Sequence, residues 1–153
     1  MSYAIIGFGK IGHALARAFA RNGIEVSVAT TRDPESFASD AAAIGSTIIP
    51  KTLAEAVKAD ILFLAVRFES HKEVAKALPS WKGKTIVDVT NAYGVPPEQL
   101  GGQPSSAAEI GELAKHLGFS PIALGGLSEG GLLVQARGNS WGRLIFKDLV
   151  KFD

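Results

Sequence analysis

Cysteine is absent from this 153-residue chain, methionine occurs once and tryptophan twice. Without a thiol there is no disulfide, no thiolate metal site and no cysteine nucleophile. Net charge is nearly absent too, since 16 basic residues against 15 acidic ones leave +1. Proteins that track phosphodiester backbones display a dense basic face, so no nucleic-acid partner is expected. The apolar runs fall far short of the ~20 residues that a membrane-spanning helix needs, so no membrane segment is expected either. The opening Met1-Ser2-Tyr3 carries no basic leader before an apolar stretch, and the expected location is cytoplasmic. His13, His71 and His116 are too widely spaced for a metal motif, so no metal is expected.

What is present is a core: 46% of residues are hydrophobic and 20% charged, which suits one folded domain over residues 1–153. Tyr3 to Gly7 reads as a short buried strand. Ile11 to Asn22 follows as an amphipathic helix with Ile11, Leu15, Ala18 and Phe19 on its buried face, closed by Gly23. Glu25 to Ala29 is a second strand. Asp33 and Pro34 open a helix that Gly45 ends, and Thr47 to Ile49 is a third strand. Thr52 and Glu55 have capping-box spacing for a brief helix through Lys58. Ile61 to Val66 is apolar throughout, as a strand buried on both faces must be. A helix from about Ser70 to Leu78 and a strand from Thr85 to Val89 complete the alternation. That rhythm of strands and helices predicts an α/β, Rossmann-type doubly wound fold with a mainly parallel sheet and helices on both faces.

The second half is less regular. Residues 90–106, rich in Pro, Gly and Ser, read as a long loop, with 1–106 as the core and 107–153 as a shortened C-terminal part. Ser106 and Glu109 have capping-box spacing for a helix ending at Gly118, and Pro121 to Leu124 reads as a last strand. Apolar residues recur at Trp141, Leu144, Ile145 and Leu149, which suits a helix or an arm packed on the domain or on a second copy in a homodimer. Gly126-Leu127-Ser128-Glu129-Gly130 has the letters of a nucleophile elbow, but an elbow also needs a strand before it, a helix after it and triad partners in chain order, and the glycines between Gly125 and Gly131 argue for a loop instead.

The chemistry-bearing motif is Gly7-Phe8-Gly9-Lys10-Ile11-Gly12, placed directly after a strand and opening a helix. In that context Gly7 allows the tight turn, Gly9 admits the backbone to a pyrophosphate and Gly12 lets helix and strand pack closely. The unpaired N–H groups and the helix dipole then favour phosphate. Versions of this turn that take NAD place an acidic residue ~20 residues on, against the ribose hydroxyls. Here the second strand ends in Ala29-Thr30-Thr31-Arg32, with no carboxylate before Asp33. Hydroxyl and guanidinium donors suit a 2′-phosphate, so NADP(H) is the expected cofactor, with Thr31 and Arg32 as its grip. Two further strand ends, Ala65-Val66-Arg67 and Asn91-Ala92, are expected beside the ribose and nicotinamide. Asp88 is expected to brace a loop, and His71 is a minor candidate near a strand end. No catalytic acid or base stands out.

The segments Ala4 to Gly12, Thr31-Arg32, Leu64-Ala65-Val66 and Asp88-Val89-Thr90-Asn91 resemble the NADP oxidoreductase family that includes the deazaflavin-dependent (coenzyme F420) NADP reductases. The resemblance covers residues 1 to about 106 and resumes weakly from Ala108 through Pro121 to the Gly-rich tail. It implies hydride exchange between NADP(H) and a small, flavin-like or deazaflavin acceptor, with the protein chiefly positioning two rings. The chain departs from the family pattern at Arg67 and Ala92, where relatives carry proline. It also lacks, near Ser106, an internal stretch that in relatives includes a Lys-x-Phe-Asn-like element near the second substrate. That departure leaves a non-catalytic NADP(H) sensor or scaffold as the alternative reading.

Overall fold

The computed structural model describes residues 1–90 and 107–123. Its contacts divide the chain into two units: residues 1–90 with 116–118, and residues 91–115 with 119–153. In the first unit the elements alternate as β1 (Tyr3–Ile6), α1 (Lys10–Arg21), β2 (Val26–Ala29), a 3₁₀ turn (Pro34–Phe37), α2 (Ala38–Ile44) and β3 (Ile48–Pro50). They continue with α3 (Leu53–Ala56), β4 (Ile61–Leu64), a 3₁₀ turn (Phe68–Ser70), α4 (His71–Ala75) and β5 (Thr85–Asp88). All strand pairs are parallel, in the order β3-β2-β1-β4-β5. The chain therefore winds outward from β1 to β3, returns past β1 and winds outward again through β4. This is the doubly wound Rossmann-type arrangement, and its strand order reverses between β1 and β4.

The pleat explains why both faces are apolar. On one face Phe19 of α1 packs edge-on to Phe63 and tilted against Tyr3, with ring centroids 5.7 and 5.4 Å apart. On the other, Ala4, Ile6, Ala29, Leu62 and Leu64 meet Ala56, Val57, Ala59 and Val74 in one buried cluster. All four residues of β4 are buried, as a strand covered on both sides requires. β5 alternates between half-buried and exposed residues, leaving Ile86 41% exposed.

Several expectations need correction. The buried face of α1 is Gly12, Ala16, Ala18 and Phe19; Ile11 is 52% exposed and Leu15 only half-buried. Ala18 and Phe19 are buried as expected, and Gly12, seated closely on the preceding turn, takes the first buried place instead of Ile11. β4 ends at Leu64 rather than Val66, because Ala65 and Val66 leave the sheet to run against Gly7. The helix after β4 is shorter than expected, a 3₁₀ turn followed by His71–Ala75.

α5 (Ala107–His116), which but for His116 belongs to the second unit, forms as expected, with a Lys115–Glu112 ion pair at 2.7 Å on its surface. Pro121 to Ala123 is not a strand. Pro121 has no N–H to donate to a ladder, and Ile122 is 70% exposed. Ser106, Leu124, the Gly126–Gly130 run, the apolar tail and the internal deletion read near Ser106 lie outside the described residues.

Candidate functional site

The switch of strand order between β1 and β4 makes their carboxyl ends the place where an open α/β sheet leaves a crevice. Gly7 stands there. Its N–H donates to Ala29 O at 2.8 Å, while Ala65 N–H donates to Ile6 O at 2.8 Å, so the chain turns while still tied to both neighbouring strands. Gly7 has φ +106°, and a Cβ on it would overlap the Ala65 carbonyl oxygen and lie 2.6 Å from its carbon. Gly12 is equally constrained: a Cβ there would overlap Gly7 O and lie 3.0 Å from Gly7 C. These two glycines are demanded by the protein itself.

Gly9 is different. A Cβ on it would meet no atom within 4 Å, and its φ of −92° suits an ordinary residue. It is the N-cap of α1, yet no side chain bonds the first-turn N–H groups, and no acidic residue occupies that turn. The fold leaves a helix start uncapped and a glycine that packing does not need. A ligand with acceptor oxygens accounts for both, since a bare backbone lets phosphate approach the free donors.

Around the turn, Lys10 and Ile11 are exposed, whereas the Phe8 side chain is 6% exposed and offers only its backbone to a ligand. Its ring stacks on His13 at 4.0 Å and 19° and tilts against Phe37 at 5.8 Å. His13 is half-buried, and its Nδ1 lies 2.9 Å from Gly9 O. That carbonyl also accepts the His13 backbone N–H at 2.8 Å.

Beyond β2, Thr31 and Arg32 are both exposed. Arg32 N–H donates to Thr30 Oγ1 at 2.9 Å, and its guanidinium lies 5.7 Å from the Phe37 ring centroid. At the nearest acidic residue in sequence, Asp33, Oδ1 accepts Glu35 N–H at 3.2 Å, capping the 3₁₀ turn. A cation thus stands at this rim with the neighbouring carboxylate already engaged.

At the end of β4, Ala65 and Val66 are half-buried against the glycine turn, and Arg67 is exposed where the chain enters α4. At the end of β5, Asp88 Oδ1 accepts Thr90 N–H at 2.8 Å and Thr90 Oγ1 at 2.6 Å, bracing the turn as expected. His71 joins this group, with Nε2 3.4 Å from Thr90 Oγ1 and 3.9 Å from Asp88 Oδ1. Asn91 and Ala92 lie outside the described residues. The structure thus brings the glycine turn, Ala65 and Val66 together and places Arg32 on Phe37 beside Phe8.

Two clefts of about 340 Å³ each, one beside Arg17 and Thr47 and one beside Ser2 and Lys51, do not include the glycine turn. The candidate site is identified by its donors, not by enclosed volume. Sequence reasoning missed Thr30 and Phe37. An aromatic residue five positions after the rim arginine was the only available hint.

Comparison with known proteins agrees with this geometry. Residues 2–92 match the family described as NADP oxidoreductase, coenzyme F420-dependent. A hypothetical protein from Sinorhizobium meliloti superposes with a TM-score of 0.79 at 24% identity, over 91% of this chain and 92% of that one. (S)-3-hydroxybutyryl-CoA dehydrogenase from Ralstonia eutropha gives a TM-score of 0.63 at 16% identity, over 82% of this chain and 63% of that one. A reductive aminase from Aspergillus terreus in complex with NADPH and ethyl-5-oxohexanoate gives 0.53 at 24% identity, over 74% of this chain and only 36% of that one. These likenesses show the fold. No curated protein matches the chain. With the matched region spanning the whole doubly wound sheet, the chain belongs to the family of coenzyme F420-dependent NADP oxidoreductases.

Proposed function

We propose that this chain seats NADP(H) across the Gly7–Gly12 turn and presents its nicotinamide to a small, flavin-like acceptor. The observation that carries the reading is Gly9, the uncapped start of α1, where the fold has room for a side chain and the sequence supplies none. Backbone N–H groups at Gly9, Lys10 and Ile11 would hold the pyrophosphate, with the α1 dipole adding to the attraction. Phe8 and Gly12 would shape that cradle from beneath, one by filling the core and the other by letting α1 close on the turn.

Thr31 and Arg32 would take the adenosine 2′-phosphate. Thr30 holds the Arg32 backbone for that task. Ala65, Val66 and Arg67, with Asn91 and Ala92 beyond β5, would line the ribose and nicotinamide. When bound, the nicotinamide supplies the hydride chemistry; the protein supplies orientation and exclusion of water. Family membership favours turnover over the sensor reading.

The test pairs binding with turnover. NADPH binding should exceed NADH binding, and oxidation of NADPH should depend on a flavin or deazaflavin acceptor. Arg32→Ala should weaken NADPH by roughly 10–100-fold, the worth of hydrogen bonds to a charged group, and leave NADH nearly unchanged. Tight NADPH binding without turnover on either acceptor would establish the sensor instead.

A further inference from the structure

The Arg32 guanidinium does not stand free at the rim. It lies over Phe37, a ring with no exposed surface that starts a continuous aromatic row: Phe37 tilts on Phe8, and Phe8 stacks on His13. The row ends where it began to matter, because His13 bonds through both its backbone N–H and Nδ1 to the carbonyl of Gly9. The two phosphate-facing features of the site, the uncapped turn and the rim cation, therefore rest on one buried aromatic platform.

An exposed arginine has many rotamers, and holding it in one costs entropy at the moment of binding. A ring face beneath the guanidinium reduces that cost, because the π cloud attracts the cation while leaving its planar N–H fork free for an anion. Thr30 fixes the other end of the same residue through the backbone. We infer that Phe37 is a specificity-determining positioning residue: by pre-seating Arg32 it sets the preference for a nucleotide carrying a 2′-phosphate over one without it. This rests on the proposed role of Arg32.

Binding of NADPH and NADH to wild type, Phe37→Leu, Arg32→Ala and the double variant tests the inference. Phe37→Leu should weaken NADPH by about threefold, the scale of an exposed cation–π contact, with NADH unchanged. In the Arg32→Ala background the same substitution should cost nothing further. Replacing Phe37 with its 4-fluoro and 3,4,5-trifluoro analogues keeps the ring in place and drains its face. NADPH affinity should then fall stepwise while NADH affinity holds. Equal loss of both nucleotides in Phe37→Leu together with no trend in the fluorinated series would reduce Phe37 to a core residue and overturn the inference. If Arg32→Ala itself weakens NADPH and NADH alike, it is the reading of Arg32 that fails, and the inference falls with it.

Discussion

Two helices of this chain begin in opposite ways. At α3, Thr52 Oγ1 accepts Glu55 N–H at 3.3 Å while the Glu55 carboxylate accepts Thr52 N–H at 3.0 Å and Thr52 Oγ1 at 2.6 Å. That start carries a reciprocal capping box, and its negative charge sits where the helix dipole favours it. At α1 the cap is Gly9, with no side-chain acceptor and no acid in the first turn. Four residues of helix receive a full capping box, while twelve receive none. α2 and α4 also start without a side-chain cap but carry Asp40 and Glu73 in their first turns, whereas α1 carries no acid there, which is what the proposed anion site needs. The surrounding glycines divide likewise, Gly7 and Gly12 being required by the fold and Gly9 by nothing inside it.

The strongest way to break this comparison is to treat the three glycines as equivalent. Gly7→Ala combines a positive φ with overlap on the Ala65 carbonyl, and should destabilise the protein by roughly 3 kcal/mol or more in urea denaturation. Gly12→Ala should act similarly through the Gly7 carbonyl. A stable Gly7→Ala variant would remove the distinction between fold-built and ligand-built positions.

At the other helix, Thr52→Ala should lower stability by about 1 kcal/mol and leave NADPH affinity unchanged, since that cap serves only α3. Loss of nucleotide binding in Thr52→Ala would mean that the two helix starts are not independent.

The smallest effect separates them by pH. Hydrogen bonds from the Thr52 side chain, and then from its backbone, hold the Glu55 carboxyl below the usual carboxylate range. Bonds from Ser2 backbone and hydroxyl do the same for Asp60. A carboxyl that is more acidic folded than unfolded adds stability that is complete above its unfolded pKa, roughly 4, and is lost as pH falls through the folded value. Thermal unfolding followed below pH 5 should therefore show a shallower acid decline in Thr52→Ala, and separately in Asp60→Asn, than in wild type. An unchanged slope in both variants would contradict this assignment.

Local pattern made the glycine turn, the Thr52–Glu55 box and the Asp33 cap legible, because each is written within a few residues and follows from backbone donors alone. The mainly parallel, doubly wound sheet follows from the alternation of strands and helices and the handedness of their crossovers. Ala18 and Phe19 on the buried face of α1 are legible too, whereas Ile11 is exposed and the contact at Gly12 goes unseen because glycine has no side chain to count. Apolar residues at Ala65 and Val66 extended the apparent strand, although their apolarity serves packing against the turn. The row from His13 through Phe8 and Phe37 to Arg32 was invisible, since its rings come from separate elements and meet only once the sheet is wound.

The most direct measurement concerns Gly9→Asp, which gives α1 the side-chain cap that α3 already has. The extended backbone at Gly9 suits an N-cap aspartate, so the variant should be as stable as wild type or gain a few tenths of a kcal/mol. Its carboxylate would face the pyrophosphate, so NADPH binding by calorimetry should weaken on the order of 100-fold or more. A folded Gly9→Asp protein that binds NADPH as wild type does would contradict the account.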